Sequence, residues 1–324
     1  MIGLTITSCV VLVLALILLL NYLYLRTSRY KNECIDIKTY FNGVPENLKF
    51  VNLGSTYSKF AFGGIDELKL ESADLSLQAQ SLDVDYSLLK EYSCCFSDGC
   101  IVFICLAACC MMYEGNNNPL YCKILNKENN PKYSLKEKLK SVFPLLINPR
   151  RVKYLIKHDE EYQNIYDSMR QANNDCEAES ILNNMANGWI KMFNLSNLKE
   201  AQISDYNQLV IKKNTEILKS MIDYCIDHGY RPVVVVPPFS SKMNSYFSRE
   251  FTEKVIDQNV VTACGDIQIP FLNYQWDDEF SERYDLFKDQ GFRLNVPGSI
   301  AFIRRLAKDL RQYNIILNNK TCGR

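Results

Sequence analysis

The segment Pro232-Val233-Val234-Val235-Val236-Pro237-Pro238 decides the fold of this 324-residue chain. Consecutive valines favour an extended strand, and a strand that is apolar on both sides must be covered on both faces. The prolines end the strand because proline cannot donate to a sheet ladder. Similar apolar runs occupy residues 48–53 and 100–106, and a weaker run occupies residues 267–274. Together these runs predict a buried parallel sheet.

Helical patterns separate the apolar runs. Residues 214–226 place apolar side chains at 3.6-residue spacing before Gly229, and residues 300–310 repeat the pattern after Pro297-Gly298. Strands that alternate with helices predict an α/β fold. We expect three layers, α/β/α, around a parallel, flavodoxin-like sheet.

The N-terminal residues 2–25 contain no charged side chain. A helix rises about 1.5 Å per residue, so this segment is long enough to cross roughly 30 Å of hydrocarbon. Tyr22 and Tyr24 fall where an interfacial aromatic belt lies. A cleavable signal peptide is the alternative, but the segment lacks the basic start, the shorter apolar core and the small-residue cleavage site. We predict an uncleaved, single-pass transmembrane helix.

Residues 115–200 interrupt the alternation of strands and helices. They are rich in Asn and Lys and hold three helical patterns, near residues 134–142, 150–170 and 177–193. We expect a helical insertion or lid over the strand ends. The predicted domains are a transmembrane anchor at 1–25, a stalk at 26–46 and an α/β domain at 47–316.

The sequence leaves open which side of the cell membrane the body of the chain occupies. Arg26, Arg29 and Lys31 follow the span directly, which favours a cytoplasmic body. Thirteen cysteines without a regular disulfide spacing also suit a reducing compartment. The expected location is therefore a membrane that the chain crosses once, with the side undecided.

Charge and cysteine spacing exclude several kinds of partner. Lys plus Arg and Asp plus Glu number 37 each, so no net field attracts nucleic acid. The cysteines form no Cys-x-x-Cys pair, and most of those between residues 94 and 122 lie in or beside an apolar run. We expect no metal and no cofactor.

Chemistry is expected at the carboxyl ends of the strands, where open parallel sheets bind their ligands. The first such end reads Gly54-Ser55-Thr56-Tyr57. It offers hydroxyls beside backbone N–H groups, as an acyl-transfer nucleophile and its oxyanion hole require. The same pattern fits a hydroxyl-rich turn or helix N-cap. Further along, Trp276 beside Asp277-Asp278-Glu279 fits either a solvated loop or a sugar-binding surface.

Two motifs resemble the SGNH (GDSL-like) hydrolases. Val51-Asn52-Leu53-Gly54-Ser55-Thr56-Tyr57 is similar to the first block of that family, closest to its membrane-anchored branch associated with cell-surface polysaccharide and teichoic-acid modification. Residues 287–298 resemble the last block, in which an Asp and a His precede Leu-Asn. The resemblance implies an extracytoplasmic domain. It also implies that Thr56 or Ser55 is the catalytic hydroxyl and that Asp289 is the orienting carboxylate. The surrounding substrate or structural site would then comprise Gly54, Tyr57, Arg293 and Asn295.

The catalytic histidine of that family has no counterpart in this sequence. Phe292 occupies its place by Asp-x-x-His spacing, and Arg293 occupies it when counted back from Leu294-Asn295. Neither side chain accepts a proton at neutral pH. The chain has two histidines. His228 lies at a predicted helix C-terminus, where it complements the helix dipole, and His158 lies in a charged stretch of the insertion.

Two functions are consistent with these motifs. The first is O-acyl (acetyl) transfer or ester hydrolysis on a surface polysaccharide or its lipid-linked precursor, with His158 or a water as the base. The second is a catalytically silent SGNH-like domain in which Arg293 pairs with Asp289, and which binds a glycan or a partner protein of polysaccharide assembly. A third interpretation is an unrelated membrane-anchored protein with a flavodoxin-like domain. A direct Arg293–Asp289 pair favours the silent domain, whereas a histidine between Thr56 and Asp289 favours the enzyme.

Overall fold

The computed structural model of the chain describes residues 2–33, 40, 43–65, 71–107, 109–115, 124–125, 135–156, 174–200 and 202–315. The chain divides into two compact units. The smaller unit comprises residues 1–42 and 117–169, and the larger unit comprises residues 43–116 and 170–324.

Within the described residues, the larger unit contains a five-stranded parallel sheet in the order β2-β1-β3-β4-β5. The strands are β1 (Leu48–Gly54), β2 (Ser72–Asp74), β3 (Phe96–Cys105), β4 (Arg231–Val236) and β5 (Phe271–Asn273). The apolar runs of the sequence are neighbouring parallel strands, and the predicted α/β fold with a parallel sheet is confirmed. β2 was not predicted, because its three residues, Ser-Ala-Asp, contain no apolar run.

The valines of β4 explain why this strand lies inside the sheet. Residues 233–236 have no exposed surface, and β4 is hydrogen-bonded to β3 on one side and β5 on the other. Phe103 of β3 stands in register with Val233 and packs its ring 4.9 Å from that of Phe62. Phe302 closes this part of the core, with its ring centroid 5.9 Å from that of Phe62. Burial on both faces is what a continuous apolar strand requires.

Helices connect and cover the strands. The α-helices are α1 (Ile2–Leu25), α2 (Ser28–Glu33), α3 (Thr56–Ala61), α4 (Leu82–Tyr92), α5 (Leu135–Val142), α6 (Pro144–Ile147), α7 (Lys153–Ile156), α8 (Asp175–Met192), α9 (Asp205–Asp227), α10 (Ser241–Asn244), α11 (Arg249–Thr252), α12 (Gln258–Cys264), α13 (Asp278–Ser281) and α14 (Val296–Leu310). Short 3₁₀ segments lie at Ser93–Cys95, Cys110–Met112, Pro149–Val152, Tyr284–Leu286 and Arg311–Tyr313, and a π-helical turn lies at Glu253–Asp257. The helical patterns at residues 214–226 and 300–310 fall within α9 and α14.

The last helix, α14, shows how local sequence fixes an element. Asn295 is its N-cap, and its Oδ1 accepts a hydrogen bond of 2.9 Å from the backbone N–H of Gly298. Pro297 occupies the first turn, where its missing N–H leaves no donor lost. The apolar stripe that follows is buried against the sheet: Phe302, Ile303, Leu306 and Leu310.

The smaller unit is built on α1. The segment of residues 7–25 has a mean hydropathy of 2.5, and 11% of its apolar window is buried. The helix is long and apolar enough to cross a membrane. Near its end, Asn21 donates a 2.9 Å hydrogen bond from Nδ2 to the carbonyl oxygen of Val142. Tyr24 is fully buried and packs 5.7 Å from the ring of Tyr30. Helices α5, α6 and α7 lie in the predicted insertion, whereas His158 lies outside the described residues.

Candidate functional site

The carboxyl end of β1 turns sharply at Gly54. Its φ of +130° and its close packing both require glycine, because a Cβ there would lie 2.6 Å from the carbonyl oxygen of Cys105. The backbone N–H of Gly54 donates a 2.8 Å hydrogen bond to Oδ1 of Asp85. The chain then enters α3 at Thr56, with Ser55 at the N-cap.

The two candidate nucleophiles, Ser55 and Thr56, lie at this turn. Ser55 is 7% exposed, and its Oγ lies 4.0 Å from Sγ of Cys110. Thr56 is partly buried in the first turn of α3. Among the described residues, no carboxylate or imidazole makes a hydrogen bond to either hydroxyl. A hydroxyl becomes a nucleophile when a base lies within hydrogen-bond reach.

Asp289, the candidate orienting carboxylate, is fully buried and accepts hydrogen bonds on both oxygens. Its Oδ1 accepts backbone hydrogen bonds from Gly291, Phe292 and Arg293 at 3.0, 3.0 and 3.1 Å. Its Oδ2 accepts a 2.8 Å hydrogen bond from Nε of Arg293, which is itself buried. This carboxylate closes a turn and neutralises a guanidinium. All four of these hydrogen bonds come from the turn itself, from residues 291–293.

The loop after β4 holds the Asp289 turn in place. The backbone N–H of Ser240 donates to the carbonyl oxygen of Gly291 at 2.7 Å, and the Ser240 hydroxyl donates to the carbonyl oxygen of Gln290 at 2.6 Å. Gln290 adopts a φ of 57°, which is uncommon for a residue with a Cβ. The Asp289 carboxylate therefore holds the turn from within, and Ser240, which follows β4, holds it through two further hydrogen bonds.

An aromatic cluster of Tyr57, Trp189, Phe239, Phe247 and Phe292 joins the two candidate segments. The Tyr57 ring lies 5.5 Å from that of Phe292 and 6.2 Å from those of Trp189 and Phe239. Phe292 also contacts Trp189 at 5.7 Å and Phe239 at 6.0 Å. Burial raises the pKa of Tyr57 well above its ordinary value, with the nearby thiols adding to the shift. Phe292, at the position where the Asp-x-x-His spacing would put a histidine, is thus part of an apolar contact beside the Gly54–Thr56 turn.

The remaining candidates have structural positions. Asn295 caps α14, and its Nδ2 donates to the carbonyl oxygen of Asp285 at 2.7 Å. His228 is the C-cap of α9 and precedes the amino end of β4. Its Nδ1 lies 2.8 Å from the carbonyl oxygen of Tyr224. Its ring stacks on that of Tyr224 at 3.9 Å. Neither residue lies in the cluster that surrounds Tyr57.

Sequence reasoning missed Asp85, a carboxyl that lies behind the hydroxyl turn. It is 2% exposed and accepts hydrogen bonds from the backbone N–H of Gly54 and from Nε2 of Gln80. Burial raises its pKa from 3.8 to about 7. One signal was present: Asp85 stands on the apolar stripe of α4 with Leu82, Leu88 and Leu89, where a charged residue needs a specific partner.

The cysteines near the turn are thiols rather than thiolates. Burial raises the pKa of Cys110 to about 11 and raises the pKa of Cys105 and Cys109 well above the ordinary value. A thiol with a raised pKa is a poor nucleophile and a poor metal ligand. In the part of the chain that the structure describes, no three His, Cys, Asp or Glu side chains are grouped to hold a metal ion.

An open cavity lies at the carboxyl end of β5. Its volume is about 250 Å³, and it is lined by Arg249, Thr252, Glu253, Asp257, Asn273, Trp276 and Asp277. Trp276 donates from Nε1 to Oγ1 of Thr252 at 3.3 Å, and the Arg249 guanidinium lies 4.9 Å from the indole centroid. Asn273 donates from Nδ2 to Asp257 at 2.8 Å. Carboxylates, an amide and an aromatic ring therefore surround one small, solvent-open space.

No model of a known protein family matches this sequence, and no curated protein matches it.

Proposed function

We propose that this chain is a membrane-anchored, catalytically silent SGNH-like domain that binds a glycan or a partner protein in cell-surface polysaccharide assembly. The observation that carries the proposal is the direct pair between Arg293 and Asp289, with Nε 2.8 Å from Oδ2. An SGNH hydrolase uses this carboxylate to orient a histidine. Here an arginine takes the carboxylate, and a phenylalanine takes the position of the histidine.

The sheet supports the SGNH-like part of the proposal. The parallel order β2-β1-β3-β4-β5 supports a flavodoxin-like, doubly wound sheet, a class in which ligands bind at the carboxyl ends of the strands. Helices α9 and α14 both contact the sheet region, and the proposed architecture is three-layered, α/β/α. The hydroxyl turn and the Asp289 turn then correspond to the first and last blocks of that family.

The aromatic cluster supports the loss of catalysis independently of the ion pair. Phe292 is 3% exposed and Phe239 has no exposed surface, so the space beside Tyr57 is filled with apolar side chains. An acyl group and its acceptor need room for a tetrahedral intermediate and donors aimed at its oxyanion. A packed cluster of rings offers neither.

The open cavity beside β5 supports a binding role. Glycans are recognised through hydroxyls, which bond to carboxylates and amides, and through apolar faces, which pack on aromatic rings. Trp276, Asp277 and Asn273 supply these groups within one cavity. Hydroxyl-rich ligands are therefore the class of molecule that we assign to it.

The N-terminal helix supports a membrane location. Its 19-residue apolar segment has the length that a bilayer requires, and Arg26 follows it directly. The proposal is a single-pass protein of the cell membrane. The flanking charges favour a cytoplasmic body and the SGNH resemblance favours an extracytoplasmic one.

Acyl transfer from Thr56 or Ser55 is the competing function, and one experiment separates the two. The full-length protein in detergent is assayed for hydrolysis of an activated acetyl ester, with Thr56→Ala as the matched control. We expect the same rate for both proteins, equal to that of buffer with detergent. A wild-type rate above background that Thr56→Ala abolishes, with unchanged thermal unfolding, would overturn the silent domain.

The binding role is tested in the same preparation. Intrinsic fluorescence is titrated with soluble fragments of surface polysaccharide, with Trp276→Ala and Trp189→Phe as the paired variants. We expect a saturable change that Trp276→Ala removes and Trp189→Phe retains, because Trp189 belongs to the buried cluster. A saturable change that survives Trp276→Ala places the ligand elsewhere.

A further inference from the structure

Helix α5 of the smaller unit exposes an apolar stripe. Leu135, Leu139 and Val142 are 74%, 43% and 49% exposed. Their spacing of four and three residues places them on one face of the helix. A soluble helix with this pattern buries such a stripe against a core, whereas here the stripe faces outward.

The position of α5 relates this stripe to α1. The C-terminal residue of α5, Val142, accepts the hydrogen bond from Asn21 at 2.9 Å, and α6 continues from there along α1. Asn21 lies four residues before the end of α1 at Leu25, about 6 Å along the helix axis. The end of α5 is therefore held at the depth where a transmembrane helix meets the lipid headgroups.

Basic residues accompany these helices in the sequence. Arg26, Lys138, Arg150 and Lys153 are exposed, and the sequence of α5, LKEKLKSV, contains three lysines and one glutamate. Arg26 also lies over the Tyr22 ring, 4.3 Å from its centroid. A positive belt beside an apolar stripe is the pattern of helices that lie on anionic membranes.

We propose that α5 lies in the membrane–water interface, with Leu135, Leu139 and Val142 inserted at the boundary between headgroups and acyl chains of an anionic bilayer. The proposal rests on the assignment of α1 as the membrane span. It identifies one occupant of the exposed stripe, the lipid, because the end of the stripe is hydrogen-bonded to the helix assigned as the membrane span and because the basic residues of α5 complement anionic headgroups.

The test places a fluorescent probe on the stripe of the full-length protein. Leu139→Trp is reconstituted into vesicles of phosphatidylcholine and phosphatidylglycerol that carry a nitroxide quencher at a shallow or a deep acyl position. Leu209→Trp is the matched control, since Leu209 is a 68% exposed leucine on helix α9. The emission of the wild-type protein, with its two native tryptophans, is subtracted from that of both variants. Extraction with alkaline carbonate reports on α1 separately.

The expected result for the Leu139→Trp variant is a loss of the added emission with the shallow quencher and a smaller loss with the deep one. The Leu209→Trp variant should lose little emission with either quencher. Removal of phosphatidylglycerol should weaken the shallow quenching of the Leu139→Trp variant.

Four outcomes contradict part or all of this assignment. Quenching of the Leu139→Trp probe by aqueous iodide and not by lipid, in protein that resists carbonate, overturns the interfacial helix and leaves the span intact. Protection of that probe from both quenchers means that a second copy or a partner covers the stripe, and also overturns the interfacial helix. Extraction by carbonate with shallow quenching retained overturns the span alone, and extraction without quenching overturns both.

Discussion

Asp289 and Asp85 are both buried carboxyls near the carboxyl end of β1, yet they are stabilised in different ways. Asp289 receives four N–H donors, one of them from a buried guanidinium. Asp85 receives two donors, both neutral, and burial raises its pKa to about 7. Two carboxyls at similar depth therefore have different partners. Asp289 is paired with a cation inside a hydrogen-bonded turn, whereas Asp85 has only neutral donors and a raised pKa.

The largest effect is expected from breaking the Asp289 pair. Arg293→Ala leaves a carboxylate buried without its counter-charge, and we expect the free energy of unfolding to fall by about 3–5 kcal/mol. Urea denaturation of the purified protein in detergent at neutral pH measures it. The double variant Asp289→Asn with Arg293→Met removes both charges and should recover a large part of the loss. A single-variant loss below about 1 kcal/mol contradicts a desolvated pair.

The next effect, which depends on pH and reaches its full size only near pH 8, is expected from Asp85→Asn. The folded pKa of about 7 lies above the unfolded value of 3.8, so the folded state retains a proton that the unfolded state releases. The contribution of Asp85 to the free energy of unfolding is complete below pH 3.8, the unfolded pKa. It is lost as the pH rises from 3.8 through the folded pKa of about 7.

Asp85→Asn removes this dependence of stability on pH, because an amide stays neutral while its oxygen still accepts a hydrogen bond from the backbone N–H of Gly54. Relative to the wild type, the variant should gain stability as the pH rises towards 8, by up to roughly 4 kcal/mol at about 1.4 kcal/mol per pKa unit. Urea denaturation of both proteins over this pH range measures the difference. Parallel pH profiles for the two proteins are the result that rejects a proton on Asp85.

The smallest effect is expected at Arg305, whose side chain is 29% exposed and pairs with Asp277, Glu279 and Asp309. Solvent screens these ion pairs, so Arg305→Ala should cost about 0.5–1 kcal/mol, although it breaks more salt bridges than Arg293→Ala does. Both variants are unfolded in urea side by side, at low and at high salt. An Arg305→Ala loss equal to that of Arg293→Ala would show that the number of pairs, rather than their burial, sets their strength.

The parallel strands could be predicted because β3 and β4 are continuous apolar runs, which only a doubly covered sheet accommodates. β2 could not be predicted, since hydrogen bonds to β1 rather than its own composition make Ser72–Asp74 a strand. The Arg293–Asp289 pair was one of two expectations, because the spacing of four residues permits it without requiring it. The aromatic cluster joins Tyr57, Trp189, Phe239 and Phe292 from four distant segments, and no local pattern encodes such a contact.

The order of the strands also has a consequence for folding during synthesis on the ribosome. β1 and β3 are neighbours, but the strand that covers the other edge of β3 begins only at Arg231. At about 5–20 residues per second, the ribosome needs roughly 6–25 s to make the intervening chain. Throughout that interval the apolar edge of residues 101–105 has no partner strand. Nascent chains are therefore most vulnerable to aggregation or chaperone capture after β3 has emerged and before β4 has been made.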